Sequence, residues 1–199
     1  MAAFTRGPVP VGYQAKRTVR LGERRMGAVE EVCSVSVCIS HGPPGAAQQW
    51  RHNRLGFYAD EGVALGVVPD GEDRAAYDLY AYTMLPIAFA PGGAIRELTE
   101  SERAALTDAS RSAKPLSSDY VCLGWDVVGN SLGWDASRSF ECSPLTCDGM
   151  ASQIATNRYG LIDAIAQALA AARQIAGGQP EPGDYYLVRV WRKGRVAER

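Results

Sequence analysis

The chain predicts a single α+β domain built on a mainly antiparallel sheet of four to five strands with three to four helices. Segments of two-residue period outnumber segments of helical period, the two kinds do not strictly alternate, and 46% of the 199 residues are hydrophobic. A chain of this size and composition can close one core that buries roughly 70% of the unfolded surface. It needs neither a metal nor a disulfide to hold it together.

Residues 1–25 show neither period, contain Pro8 and Pro10, and carry six basic side chains against the single acidic Glu23. They are expected to form a flexible basic extension, with the domain spanning residues 26–199. Between residues 30 and 40, Cys33, Val35, Val37 and Ile39 alternate with Val32, Ser34, Ser36 and Cys38, which reads as a strand with one buried face. The run His41-Gly-Pro-Pro-Gly45 then turns the chain, because its prolines and glycines extend neither element. Residues 46–58 suit a helix or an aromatic-anchored loop around Trp50, Arg54 and Phe57, and Asp60 is placed to cap a short helix ending near Val68.

Residues 77–86 read as a strand with both faces covered, so Tyr77, Tyr80 and Tyr82 are core residues before they are a stacking platform. Thr99-Glu-Ser-Glu102 has the spacing of a capping box, which predicts a helix to about Ala109. Residues 120–128 form the next strand with Val121, Leu123, Trp125 and Val127 on one face, and Gly129-Asn-Ser131 turns it toward a shorter extended piece at 139–142. A helix from Ile162 brings Ile162, Ile165, Ala166, Leu169 and Ala172 to one side and stops at Gly177-Gly178. Residues 185–192 close the chain as a strand with Tyr186, Val188 and Val190 on one face.

The net charge of −1 conceals an asymmetry. Residues 185–199 hold five basic side chains and one acidic, residues 1–25 are also basic, and the rest hold 10 basic against 20 acidic. Such ends are expected to be solvated tails. The chain has no phosphate loop, dinucleotide fingerprint or nucleophile elbow, so neither nucleic acid nor a cofactor is expected. Its apolar runs fall short of the ~20 residues of a membrane span, and its N-terminus has no secretion signal, so a soluble cytoplasmic protein is expected. The five cysteines are an odd number and read as reduced thiols.

The most unusual composition is residues 139–150, Ser-Phe-Glu-Cys-Ser-Pro-Leu-Thr-Cys-Asp-Gly-Met, followed by Asn157, Arg158 and Tyr159. With the Pro182-Gly-Asp-Tyr-Tyr186 segment, this region resembles an uncharacterised bacterial family that shares a Phe-Glu-Cys-Ser-Pro-Leu segment, an Asn-Arg stretch and a C-terminal Pro-Gly-x-Tyr-Tyr strand. The resemblance implies no activity. Cys142 is the candidate nucleophile, its thiolate favoured by a cation such as Arg158, but His41 and His52 lie far upstream and a packed thiol is the commoner outcome. The pairs Cys33/Cys38 and Cys142/Cys147 are too widely spaced for a zinc knuckle, and Cys33 and Cys38 fall on opposite faces of a strand, so no metal is expected.

Glu141, Asn157, Arg158 and Tyr159 form the candidate binding surface. Arg158 either offers its fork of donors to an anion or pairs internally with Glu141 or Asp163. The expected function is a small binding or regulatory module without catalysis, whose partner is another protein or a small anionic ligand. The rival is a thiol-dependent hydrolase or acyltransferase using Cys142.

Overall fold

The computed structural model describes residues 7–20, 29–36, 53–130, 142–147, 153–178 and 183–193. The strands are β1 (Val9–Lys16), β2 (Val19–Arg20), β3 (Glu31–Val32), β4 (Asp78–Met84), β5 (Ile87–Phe89), β6 (Ile95–Glu97), β7 (Tyr120–Asn130) and β8 (Asp184–Lys193). The helices are α1 (Glu61–Gly66), α2 (Glu100–Ser112), α3 (Pro144–Cys147) and α4 (Ile165–Gly178). The α+β class with an antiparallel sheet is therefore as the sequence predicts.

The last strand is the centre of the sheet. β7 pairs with β8 along its full length, from Tyr120 opposite Lys193 to Asn130 opposite Asp184. The other edge of β8 is shared by β4 and β5, with β1 beyond β4 and β6 beyond β5. Pro86 has no N–H to give a ladder, so β4 and β5 are two strands. The amide of Leu85 still donates to the carbonyl of Leu187, which carries the pairing up to the break. β2 and β3 form a separate two-stranded ribbon.

The two sheet faces bury different partners. Tyr80, Tyr82, Met84, Tyr186, Val188 and Val190 face α2 and residues 29–36 and 53–58, through Leu106, Val35 and Phe57. On the opposite face, Trp125, Val127, Leu187 and Phe89 meet the alanine-rich side of α4 at one end, while Leu79 and Ala81 meet α1 at the other. The capping box forms as expected: the Thr99 hydroxyl accepts from the Glu102 amide, and the Glu102 carboxylate accepts from the Thr99 amide. Asp60 caps α1 through the Val63 amide.

Four expectations are corrected. Residues 9–16 are not part of a flexible extension: they form β1, with Val11, Tyr13, Ala15 and Lys16 all buried. The alternation of Val9, Val11, Tyr13 and Ala15 was present, but Pro8, Pro10 and Gly12 masked it. In β7 the register shifts between Cys122 and Gly124. This bulge leaves Val121 59% exposed and sends Leu123 to the α2 side of the sheet while Trp125 and Val127 face α4.

In α4 the deeply buried residues are Ala168, Ala171, Ala172, Ile175 and Ala176, whereas Ile165 is 40% exposed and Leu169 only partly buried. Small side chains let that helix lie close to the sheet, so its core face is not the one with the largest residues. Of the strand expected at 30–40, residues 37–40 lie outside the described residues; among the described ones only Glu31–Val32 is regular, and residues 33–36 are buried on both sides. The helix considered for 46–58 lies outside the described residues up to residue 52, and 53–58 is a turn.

Candidate functional site

Residues 29–36 bond to the loop at 157–161 and to Asp126 of the sheet, and cover a buried polar centre. Asp126 of β7 stands opposite Val188, which points it inward among apolar side chains. A carboxylate there must be fully hydrogen-bonded. Its Oδ2 accepts from the Ser34 hydroxyl at 2.7 Å and from the Val35 amide at 2.8 Å, and its Oδ1 accepts from the Ser143 hydroxyl at 2.5 Å. One side chain thus ties β7 to the segments around Ser34 and Ser143. Burial pushes the Asp126 carboxyl up, against the pull of the Ser143, Ser34 and Val35 donors and the charge of Lys16.

Lys16 enters the same space from the end of β1. Its Nζ donates to the carbonyls of Ser34, Val35 and Ser36 at 3.1, 2.5 and 3.4 Å, and it lies 5.9 Å from the centre of the Tyr82 ring. Burial brings its ammonium down to about 7, with Asp126 holding it up from a lower value. Beside this pair, the Cys33 thiol accepts from the Tyr80 hydroxyl at 3.5 Å and from Arg192 at 3.9 Å. Burial pushes that thiol up to about 11. Such a thiol is not a nucleophile at neutral pH.

Of the residues singled out in the sequence, Asn157, Arg158 and Tyr159 come together at the rim of this centre. Asn157 is the knot of its loop: its Oδ1 accepts from the amides of Tyr159 and Leu161, and its Nδ2 donates to the Leu123 carbonyl at 2.8 Å and to Asp163 at 2.6 Å. The Arg158 carbonyl accepts from the amides of Glu30 and Glu31, and the Tyr159 carbonyl accepts from Cys33. The Tyr159 ring lies between the guanidinium groups of Arg158 and Arg192, at 5.1 and 5.3 Å. Arg192 also pairs with Glu31 at 2.7 Å.

Arg158 finds its internal partner in Glu30, at 3.5 Å, and Asp163 is taken by Asn157. With the Arg158 side chain 57% exposed and that of Glu30 64% exposed, the contact is a surface pair. Glu141, Cys38, His41 and His52 lie outside the described residues. Cys142 is 5% exposed, and its carbonyl accepts the Gly129 amide in an isolated antiparallel bridge.

Lys16, Ser34, Asp126 and Ser143 were not legible as a site. The available signal was an aspartate inside the apolar run Trp-Asp-Val-Val of a strand, which in a covered sheet demands donors from elsewhere. No three histidine, cysteine, aspartate or glutamate side chains among the described residues converge to hold a metal ion. No helix among the described residues is long and apolar enough to cross a membrane. The chain matches no known protein family, and neither a curated protein nor a solved structure is similar to it.

Proposed function

We propose that this protein is a binding module without catalysis, and that the loop of Asn157, Arg158 and Tyr159 is the part that meets an acidic protein segment. The observation that carries the reading is the contrast between the loop's backbone and its arginine. Asn157 Oδ1 and the 30–33 segment hold the loop backbone through five hydrogen bonds and Asn157 Nδ2 anchors it to the Leu123 carbonyl, while Arg158 stands largely in solvent on the face of Tyr159 with Glu30, at 3.5 Å, as its one ion-pair partner among the described residues. A guanidinium on a rigid support loses little freedom on binding, which is what recognition requires. The polar centre behind it supports the same reading, because both oxygens of Asp126 and the ammonium of Lys16 are engaged by protein groups.

The Cys142 reading is the weaker one, since a thiol nucleophile needs access and this residue is almost fully enclosed. Cys33 and Cys122 are unpaired thiols, which fits a reducing compartment such as the cytoplasm.

The test is Arg158→Gln with an oligoglutamate peptide as probe, followed by calorimetry. An exposed pair contributes less than about 1 kcal/mol, so the variant should melt within a degree or two of wild type while losing peptide binding at least tenfold. Absence of binding by the wild type, or undiminished binding by the variant, overturns the proposal.

A further inference from the structure

On the opposite face of the sheet, between the ends covered by α1 and α4, one cation has no carboxylate partner among the described residues. Arg189 of β8 lies between Thr83 of β4 and Trp125 of β7 in the sheet register. Its guanidinium lies over two indoles, 5.5 Å from the Trp125 ring centre and 4.7 Å from that of Trp191. Its Nε donates to the Cys122 sulfur at 3.0 Å. The Trp191 indole N–H donates to the Thr83 hydroxyl at 3.4 Å, which fixes that ring. No carboxylate among the described residues pairs with Arg189, although Arg17, Arg74, Arg96, Arg103, Arg158 and Arg192 each have one.

The geometry points to a binding site for a small oxyanion at Arg189, carried by a carboxylate or phosphate compound. A half-buried guanidinium loses hydration that a sulfur acceptor and two ring faces restore only in part. Nε is spent on Cys122, and Nη1 and Nη2 have no acceptor among the described residues, so the two terminal nitrogens are the donors left for an anion. That pair matches two oxygens of one carboxylate or phosphate, accepting in parallel from Nη1 and Nη2. The bond to Cys122 and the two ring contacts also restrain the arginine rotamer before the ligand arrives, which lowers a cost that binding otherwise carries. Thr83, whose oxygen accepts from Trp191, keeps its own hydroxyl proton to donate at the rim.

The site is on the far side of the sheet from Arg158 and is independent of the function proposed above. Titration of the 15N-labelled full chain with acetate, benzoate and inorganic phosphate tests it, with the indole N–H resonances as readout and Trp191 assigned through Trp191→Phe. Saturable movement of the Trp191 resonance is expected with at least one probe, and which probe saturates first tells carboxylate from phosphate. Arg189→Gln should abolish the movement, while Arg158→Gln should leave it unchanged. If Arg189→Gln does not fold, Arg189→Lys serves: it keeps the charge and the ring contacts but loses the fork, and binding should weaken at least tenfold. Linear, unsaturable shifts with every probe, movement that survives Arg189→Gln, or undiminished affinity in Arg189→Lys each overturn the assignment.

Discussion

Lys16 shows how far one side chain's chemistry depends on what is folded over it. In the unfolded chain its ammonium titrates near 10.5, and in the folded protein burial brings it to about 7. Between these values the unfolded chain holds a proton that the folded chain does not, so this residue makes stability rise as pH rises, at up to about 1.4 kcal/mol per pH unit. Below pH 7 both states are protonated and the contribution is flat at its least favourable. Cys33 acts in the opposite sense, since its raised folded value removes stability only as pH climbs from about 9 toward 11. The window from pH 7 to 9 therefore isolates the lysine. Urea unfolding at pH 7, 8 and 9 should show wild-type stability increasing relative to Lys16→Met, and parallel pH dependences in the two proteins would place Lys16 in contact with solvent.

At the scale of elements, two glycine-bearing bulges decide which side chains share a face. Gly12 in β1 and Gly124 in β7 have φ of +131° and +138°. A Cβ on Gly12 would sit 2.5 Å from the Tyr58 carbonyl oxygen, and one on Gly124 would sit 2.9 Å from the Leu161 Cβ, so each glycine also admits a neighbouring segment. Strict alternation through Val121, Leu123, Trp125 and Val127 ignores that extra residue, which is why the predicted face was divided between two cores. In α4 helical spacing was legible but the direction of the core was not, because alanines carry too little hydrophobic contrast to mark it. Ile175 is fully buried against the sheet and Leu169 only partly. Ile175→Ala should cost about 2–5 kcal/mol and Leu169→Ala clearly less. Equal losses in chemical denaturation would mean that the helix is rotated from this orientation.

Taken whole, the described parts of the two basic ends meet acidic residues of the middle at three cations. Arg17 pairs with Glu72, Arg192 with Glu31, and Lys193 with both Glu61 and Asp119, so part of the charge expected on solvated tails is matched internally. The first and last strands are both parts of one sheet, with β1 held to β4 and β4 held to the central β8. A chain beginning at Met26 therefore lacks Val11, Tyr13 and Ala15 of the core and the Lys16 anchor. It should lose the cooperative thermal transition in circular dichroism, and an unchanged melting temperature would show that β1 docks without stabilising the fold. Local signals by themselves determined the fold class, the capping box at Thr99, the Asp60 cap and the inward face of Tyr186, Val188 and Val190, because each depends on residues within one or two turns or on a simple period. Only the tertiary structure decided that residues 9–16 dock on β4, that Asp126 gathers Ser34 and Ser143, and that Arg189 lies over the Trp125 and Trp191 indoles. Those arrangements depend on segments distant in sequence, and no local periodicity records which distant segment will supply a buried carboxylate's donors or a strand's partner.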